Sequence, residues 1–295
     1  MEIADGNITK VPVDDQGKSL AAREIAWYKA AVRYNFKQIP DIVSYEPFVM
    51  RLINGRNIFR AEIDDAGKKT VIDRIVAALS ALHSLETAAC DCFSVKEAYY
   101  TKTMARLDVV RGLIPFADRE EIVVNGKKCG NIFFYRDTFR DLVTKLLYDT
   151  KFAFIHGDCT FSNTMVDVDL SITFLDPRGY FGFTELCGDT AYDWAKVFYS
   201  INGNYDRFNN KNFDLDIGED AVNLKMESNG WGHLTGYYLS KLPVPVQRKI
   251  SFIHAIIWLS LTTYAWEDYD SVCGAFYNGL YLMDDFLRGK NDRLF

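Results

Sequence analysis

Six cysteines (Cys90, Cys92, Cys129, Cys159, Cys187 and Cys273) include no CxxC pair and no regular framework. Cys90 and Cys92 are the one close pair, so the thiols read as reduced groups of a cytoplasmic protein rather than as a disulfide scaffold. A signal peptide is lacking too: Met1 is followed by Glu2 and Asp5, with no basic segment and no apolar one behind them. The longest apolar run, around 256–261, falls far short of the roughly 20 residues of a membrane span. Positive charge is slightly outnumbered, with 34 Lys and Arg against 40 Asp and Glu. A net charge of -6 without clustered Lys and Arg leaves no electrostatic footprint for a nucleic-acid partner. Internal repeats and low-complexity stretches are absent. What is present is 295 residues, 48% hydrophobic and 15% aromatic, enough for one two-lobed domain or two small ones.

The stretch 152–180 organises the rest. It reads as an apolar strand (152–155), a polar loop (156–163), a strand (164–168), a turn and a strand (172–175) closing on Asp176, Pro177, Arg178 and Gly179. Short strands flanking loops dense in Asp, Asn and His fill a core poorly. They suit Mg²⁺ and a proton acceptor well, because carboxylate and amide oxygens match hard cations.

His156, Gly157, Asp158 and Asn163, with Asp176 on the next strand end, resemble the catalytic loop of the aminoglycoside phosphotransferase/choline kinase family. The segments 77–85 and 188–196 resemble that family's flanking helices, so the likeness covers about residues 7–200. The variant Asp176-Pro177-Arg178-Gly179 looks like a branch found beside bacterial surface-polysaccharide genes. The resemblance implies an α+β, protein-kinase-like fold in two lobes: a reduced N-terminal nucleotide-binding lobe (1–53) with a small sheet, and a large, mostly helical catalytic and substrate-binding lobe (54–295). It also implies ATP and Mg²⁺ as cofactors and a small-molecule hydroxyl acceptor as partner.

In chain order, Asp5-Gly6 between 1–3 and 7–13 signals a type I′ hairpin. Residues 14–17 read as a second turn and 19–32 as a helix with Leu20, Ala21, Ile25 and Trp27 at roughly helical spacing. In the family a strand and helix in this order carry a Lys and a Glu that pair over the nucleotide phosphates; here these are Lys10 and Glu24. Two strands follow (42–45, 47–52), and the resemblance makes the backbone of Met50, Arg51 and Leu52 the hinge that meets adenine. The helix 68–85 carries an apolar stripe of Val71, Ile75, Ala78, Leu79, Leu82 and Leu85, with His83 as a hydrogen-bonded structural group. Further on, the pattern predicts a helix from 99 to 110, a hairpin of 121–124 and 131–135 about Asn125-Gly126, and a helix at 136–149. Asp189 caps the helix 192–200 or fixes the loop; 202–217 reads as a loop, and the rest as helices at 231–239, 246–266 and 272–287.

Phosphoryl transfer asks for positioning and for charge matched to the transition state. The resemblance makes Asp158 the catalytic base, or the acceptor that orients the substrate hydroxyl. Asn163 and Asp176 become the metal ligands, and His156 a loop-holding group. Arg178 either meets an anionic group of the substrate or stabilises transferred charge, or else forms a structural salt bridge. One departure from the family is the lack of a glycine-rich phosphate-covering loop before Lys10, a position only nine residues precede. Trp258, Tyr264, Trp266, Glu267, Asp268 and Asp270 form a late aromatic and acidic cluster. It sits where the family's acceptor helices lie, although the helical face of Trp258 and Thr262 also reads as core. The expected acceptor is a sugar or polyol. Choline, ethanolamine or an aminoglycoside is the alternative within the family. A protein kinase, or a pseudokinase that binds nucleotide without turnover, competes from outside it.

Overall fold

The computed structural model describes residues 2–263 and 268–289. The chain folds as two compact units: Met1–Ala89 with Lys151–Val197, and Cys90–Thr150 with Phe198–Phe295. A lobe boundary after residue 53 therefore remains a proposal about nucleotide binding; residues 2–51 do supply the four-stranded sheet such a lobe would contribute.

In the first unit, β1 (Glu2–Ala4) and β2 (Asn7–Lys10) turn at Asp5 and Gly6, both at positive φ, as a two-residue hairpin requires. The sheet runs β1-β2-β4-β3 with β3 at Ile42–Tyr45 and β4 at Phe48–Arg51, all antiparallel; Lys10 lies opposite Phe48. Helix α1 spans Asp15–Arg33, so 15–17 is not a turn. The Asp14 carboxylate accepts from the Gly17 amide, and this N-cap starts the helix earlier than hydrophobic periodicity shows. The buried face also differs. Trp27, Tyr28, Ala30 and Ala31 are inside, while Leu20 is 45% exposed. Helix α2 (Asp65–Leu85), capped by Asp64 on Gly67, buries Val71, Ile72, Ile75, Leu79 and Leu82, each contributing on the order of 1.5–3 kcal/mol. A central strand, Phe152–Phe154, pairs with Cys187–Asp189 and with Thr87–Ala88. Trp27 stacks on Phe154 at 5.2 Å and donates its Nε1 hydrogen to the Ile155 carbonyl at 2.7 Å. The strand end before His156 is thereby fixed.

The second unit corrects three expectations. The helix reaching Val110 begins at Cys92, with a π-helical turn at Glu97–Thr101. The hairpin after Glu121–Val124 returns as Lys127–Gly130, because a two-residue Asn125-Gly126 turn places Val124 opposite Lys127; Ile132–Phe134 is a 3₁₀ turn instead of a strand. Residues 213–226 form a hairpin, Phe213–Ile217 with Ala221–Met226, where the expected loop over 202–217 runs into residues that had no assigned element. Ala221–Met226 pairs in parallel with Glu121–Val124, and Asn125 locks the join by accepting from the Leu224 amide and donating to its carbonyl. Helices Val244–Leu261 and Tyr269–Leu287 complete the unit.

Inside that unit, Trp258 donates to His254 Nε2 at 3.0 Å, and burial pushes the His254 pKa down to about 3. A histidine depressed from 6.5 contributes stability that is complete above pH 6.5 and drains away as pH falls toward 3. Lowering the pH from 7.5 to 5.5 should therefore cost roughly 1.4 kcal/mol through this one group. Urea midpoints at the two pH values should move less in His254→Gln than in wild type. Equal shifts would contradict the assignment.

Candidate active site

The strand Phe152–Phe154 delivers the loop that starts at His156. Gly157 takes φ +81°, and a Cβ there would stand 2.9 Å from the Cβ of Arg178, so glycine is required by both conformation and space. The Arg178 amide donates to the His156 carbonyl at 2.9 Å, which ties the loop to the segment after Ile172–Phe174.

Asp193, fully buried on the helix Thr190–Ile201, anchors the loop. Its carboxylate accepts from the amides of His156 (2.9 Å) and Gly157 (2.7 Å) and from His83 Nε2 (3.0 Å). His83 is thus the structural group its position suggests. His156 is fully buried against Trp27 and Phe174, and its Nδ1 accepts from the Asp158 amide at 3.2 Å. Burial drives its pKa below the usual value against the pull of Asp193, Asp158 and Asp176, so the neutral ring holds the loop.

Asp158 is held through its backbone and through one carboxylate oxygen. Its carbonyl accepts from the Thr160 amide (2.9 Å) and from Asn163 Nδ2 (3.0 Å), and its Oδ1 accepts from Lys196 Nζ at 2.9 Å. Burial raises the carboxyl pKa, but the Lys196 and Arg178 cations outweigh burial and hold it below the ordinary range. A carboxylate kept ionised this way orients a hydroxyl more than it competes for the proton.

Asn163 and Asp176 both lie at the open end of one hairpin. The strands Thr164–Val166 and Ile172–Phe174 pair with Thr164 opposite Phe174, and the Leu175 amide donates to the Asn163 carbonyl at 2.8 Å. With Nδ2 engaged at Asp158, the Asn163 Oδ1 is the atom left for a cation. Asp176 sits at φ +54° with its side chain 53% exposed. One carboxylate and one amide oxygen fit Mg²⁺, which completes its shell from phosphates and water. Among the described residues no three His, Cys, Asp or Glu side chains could hold a metal by themselves.

Lys10 Nζ bonds Glu24 Oε1 at 2.5 Å and also Asp176 Oδ1, so the strand lysine, the helix glutamate and the strand-end aspartate come together. Burial favours the neutral amine, but the two carboxylates outweigh it and hold the Lys10 pKa above its ordinary value. All three line a cleft of about 710 Å³ walled by Val11, Leu20 and Phe48. The hinge residues fare differently. Met50 is buried in β4, and the amides of Arg51 and Leu52 donate within the sheet, to the Asp41 and Gly6 carbonyls. Those two amides are therefore not presented to a base.

Sequence reasoning passed over Asp193 and Lys196. Both lie in the segment 188–196, three residues apart, a spacing that puts them on one helical face. Asp189 caps that helix by accepting from the Ala191 amide. The late aromatic cluster is not a binding wall where it is described. Trp258 is fully buried, and Asp268 caps the last helix on Ser271 while pairing with Lys211. Asp270 is exposed, and Tyr264, Trp266 and Glu267 lie outside the described residues.

The chain has a mixed α+β fold similar to those of solved choline kinase, ethanolamine kinase and spectinomycin phosphotransferase structures. The chain is similar to the choline kinase LicA from Streptococcus pneumoniae at 13% identity, with a TM-score of 0.55 over 94% of this chain and 85% of that one. It is similar to a Plasmodium vivax ethanolamine kinase at 12% identity, with a TM-score of 0.54 over 96% and 77%. An AMP-bound spectinomycin phosphotransferase matches at 11% identity, with a TM-score of 0.51 over 94% and 86%. At these identities the likeness is one of fold. No family model and no curated sequence matches the chain, and no described helix is long and apolar enough to cross a membrane.

Proposed function

We propose that the chain is an ATP- and Mg²⁺-dependent phosphotransferase acting on a hydroxyl of a small molecule. The observation that carries this is the Lys10 ammonium held between Glu24 and Asp176. A lysine locked beside the proposed metal carboxylate is placed to meet nucleotide phosphates, and the similar fold of an AMP-bound phosphotransferase supports a nucleotide there. Asn163 and Asp176 would hold Mg²⁺, which when bound neutralises phosphate charge. Asp158 accepts the hydrogen bond of the acceptor hydroxyl and aims its oxygen. Nucleotide binding without turnover is the second reading, favoured by the two-residue turn between β1 and β2, too short to cover phosphates.

If Lys10 and Glu24 act as one unit, Lys10→Ala should raise the KM for ATP and lower turnover. The double mutant with Glu24→Ala should cost much less than the two singles summed, because coupled residues are non-additive. Additive losses would separate the pair from nucleotide binding.

Three of the similar folds act on choline, ethanolamine and spectinomycin. In this chain both Lys196 and Arg178 lend positive charge around Asp158. A cationic acceptor would meet like charge in a site of reduced dielectric, which is costly. The acceptor is accordingly neutral or anionic, and a sugar or polyol fits. ADP release across an acceptor panel tests both levels. Turnover with sugars or polyols and none with choline, ethanolamine or kanamycin is expected. The reverse order would overturn the acceptor class and keep the kinase; ATP binding with no turnover on any acceptor would favour the second reading.

A further inference from the structure

We propose that Lys196 is a positioning residue for phosphoryl transfer, holding the Asp158 carboxylate at the angle from which it meets the acceptor hydroxyl; this rests on the phosphotransferase reading above. The backbone of Asp158 is fixed by His156 Nδ1 on its amide and by Thr160 and Asn163 on its carbonyl. None of those bonds sets the side chain. Lys196 does, through Nζ at 2.9 Å from Oδ1, and it leaves Oδ2 to accept from a hydroxyl.

The origin of the contact lies in the helix Thr190–Ile201. Asp193 and Lys196, three residues apart, share a face. Through Asp193 that face holds the loop's amides, and through Lys196 it holds the loop's carboxylate. The Lys196 and Asp158 side chains are 10% and 28% exposed, so the contact is no solvated surface pair. The lysine stem also runs beside Tyr192, its ammonium 5.7 Å from the ring centroid, which narrows its own freedom. Without the ammonium, the carboxylate is free to rotate toward the neighbouring Arg178 charge and away from the hydroxyl. Displacement of a reacting group by about 1 Å can cost on the order of 10²-fold in rate.

The test is steady-state transfer by the full chain, with melting curves recorded alongside. Lys196→Met should lower kcat about 10–100-fold while the KM for Mg·ATP stays within about threefold, and Lys196→Arg should recover most of the loss. Should Lys196→Met fold poorly, Lys196→Gln carries the same expectation. A Met or Gln variant that folds and turns over within about threefold of wild type overturns the proposal alone. So does a rise in KM for Mg·ATP at unchanged kcat. A wild-type protein that transfers to no acceptor overturns the phosphotransferase reading and this proposal with it.

Discussion

Asp158→Asn should lower phosphoryl transfer by roughly 10²–10⁴-fold while nucleotide affinity changes only a few-fold. The substitution keeps size and shape and removes the charge. Asp158 is the loop's outward carboxylate, and its hydrogen-bonded surroundings consist of groups of its own unit: Lys196, Asn163, Thr160 and His156. Lys10, Glu24 and Asp176 form a separate ion-pair cluster, so the groups proposed for the nucleotide are untouched by the change. An asparagine can still accept from a hydroxyl, but weakly, and it offers Lys196 no charge to pair with. Turnover and ATP affinity measured on one preparation decide the matter. A variant retaining more than about a tenth of wild-type turnover would remove Asp158 from the role.

The second large effect falls on stability. Asp193→Ala should destabilise the protein by about 3–5 kcal/mol, the range for breaking a buried charged network from one side. Three donors lose their acceptor at once: the amides of His156 and Gly157, and His83 Nε2. All are buried, so water cannot replace the lost oxygens, and each stranded donor costs about 1–3 kcal/mol. Asp193→Asn keeps one acceptor oxygen and should lie between wild type and Asp193→Ala. Turnover should fall in parallel, because the same carboxylate sets the curvature of the loop that presents Asp158. Urea unfolding gives the first number. A loss below about 1 kcal/mol would mean the loop is held by other contacts, since even a single lost hydrogen bond costs that much.

Much of this arrangement was legible in the residues. The loop and its flanking strands could be placed because alternating apolar strands end abruptly in His156, Asp158, Asn163 and Asp176, a polar density no core tolerates. The pairing of Lys10 with Glu24 was what the family resemblance implied for a strand and helix in this order, and the structure brings the two together with Asp176. Long-range partners were less visible. Nothing local in 188–196 reveals that Asp193 reaches the amides of 156 and 157, because backbone donors leave no mark on a sequence. Lys196 was hidden for a similar reason: a lysine on an amphipathic helix reads as solvated until the loop it faces is known. The hairpin 213–226 had its signal, alternation in Phe213, Leu215 and Ile217 against Asp214 and Asp216, but the run of Asn and Asp around it reads as loop. Trp258 shows the converse. Its helical face reads as core, and the indole is indeed buried there and donates to His254.

The most direct measurement of the central claim is ³¹P NMR of the wild-type protein with ATP, Mg²⁺ and each acceptor of the panel. A phosphomonoester resonance should grow in step with ADP for at least one hydroxyl acceptor. It should vanish when Mg²⁺ is chelated and when Asp158→Asn replaces wild type. ATP that binds yet yields no phosphomonoester with any acceptor, or a product that forms equally well with Asp158→Asn, would contradict the account.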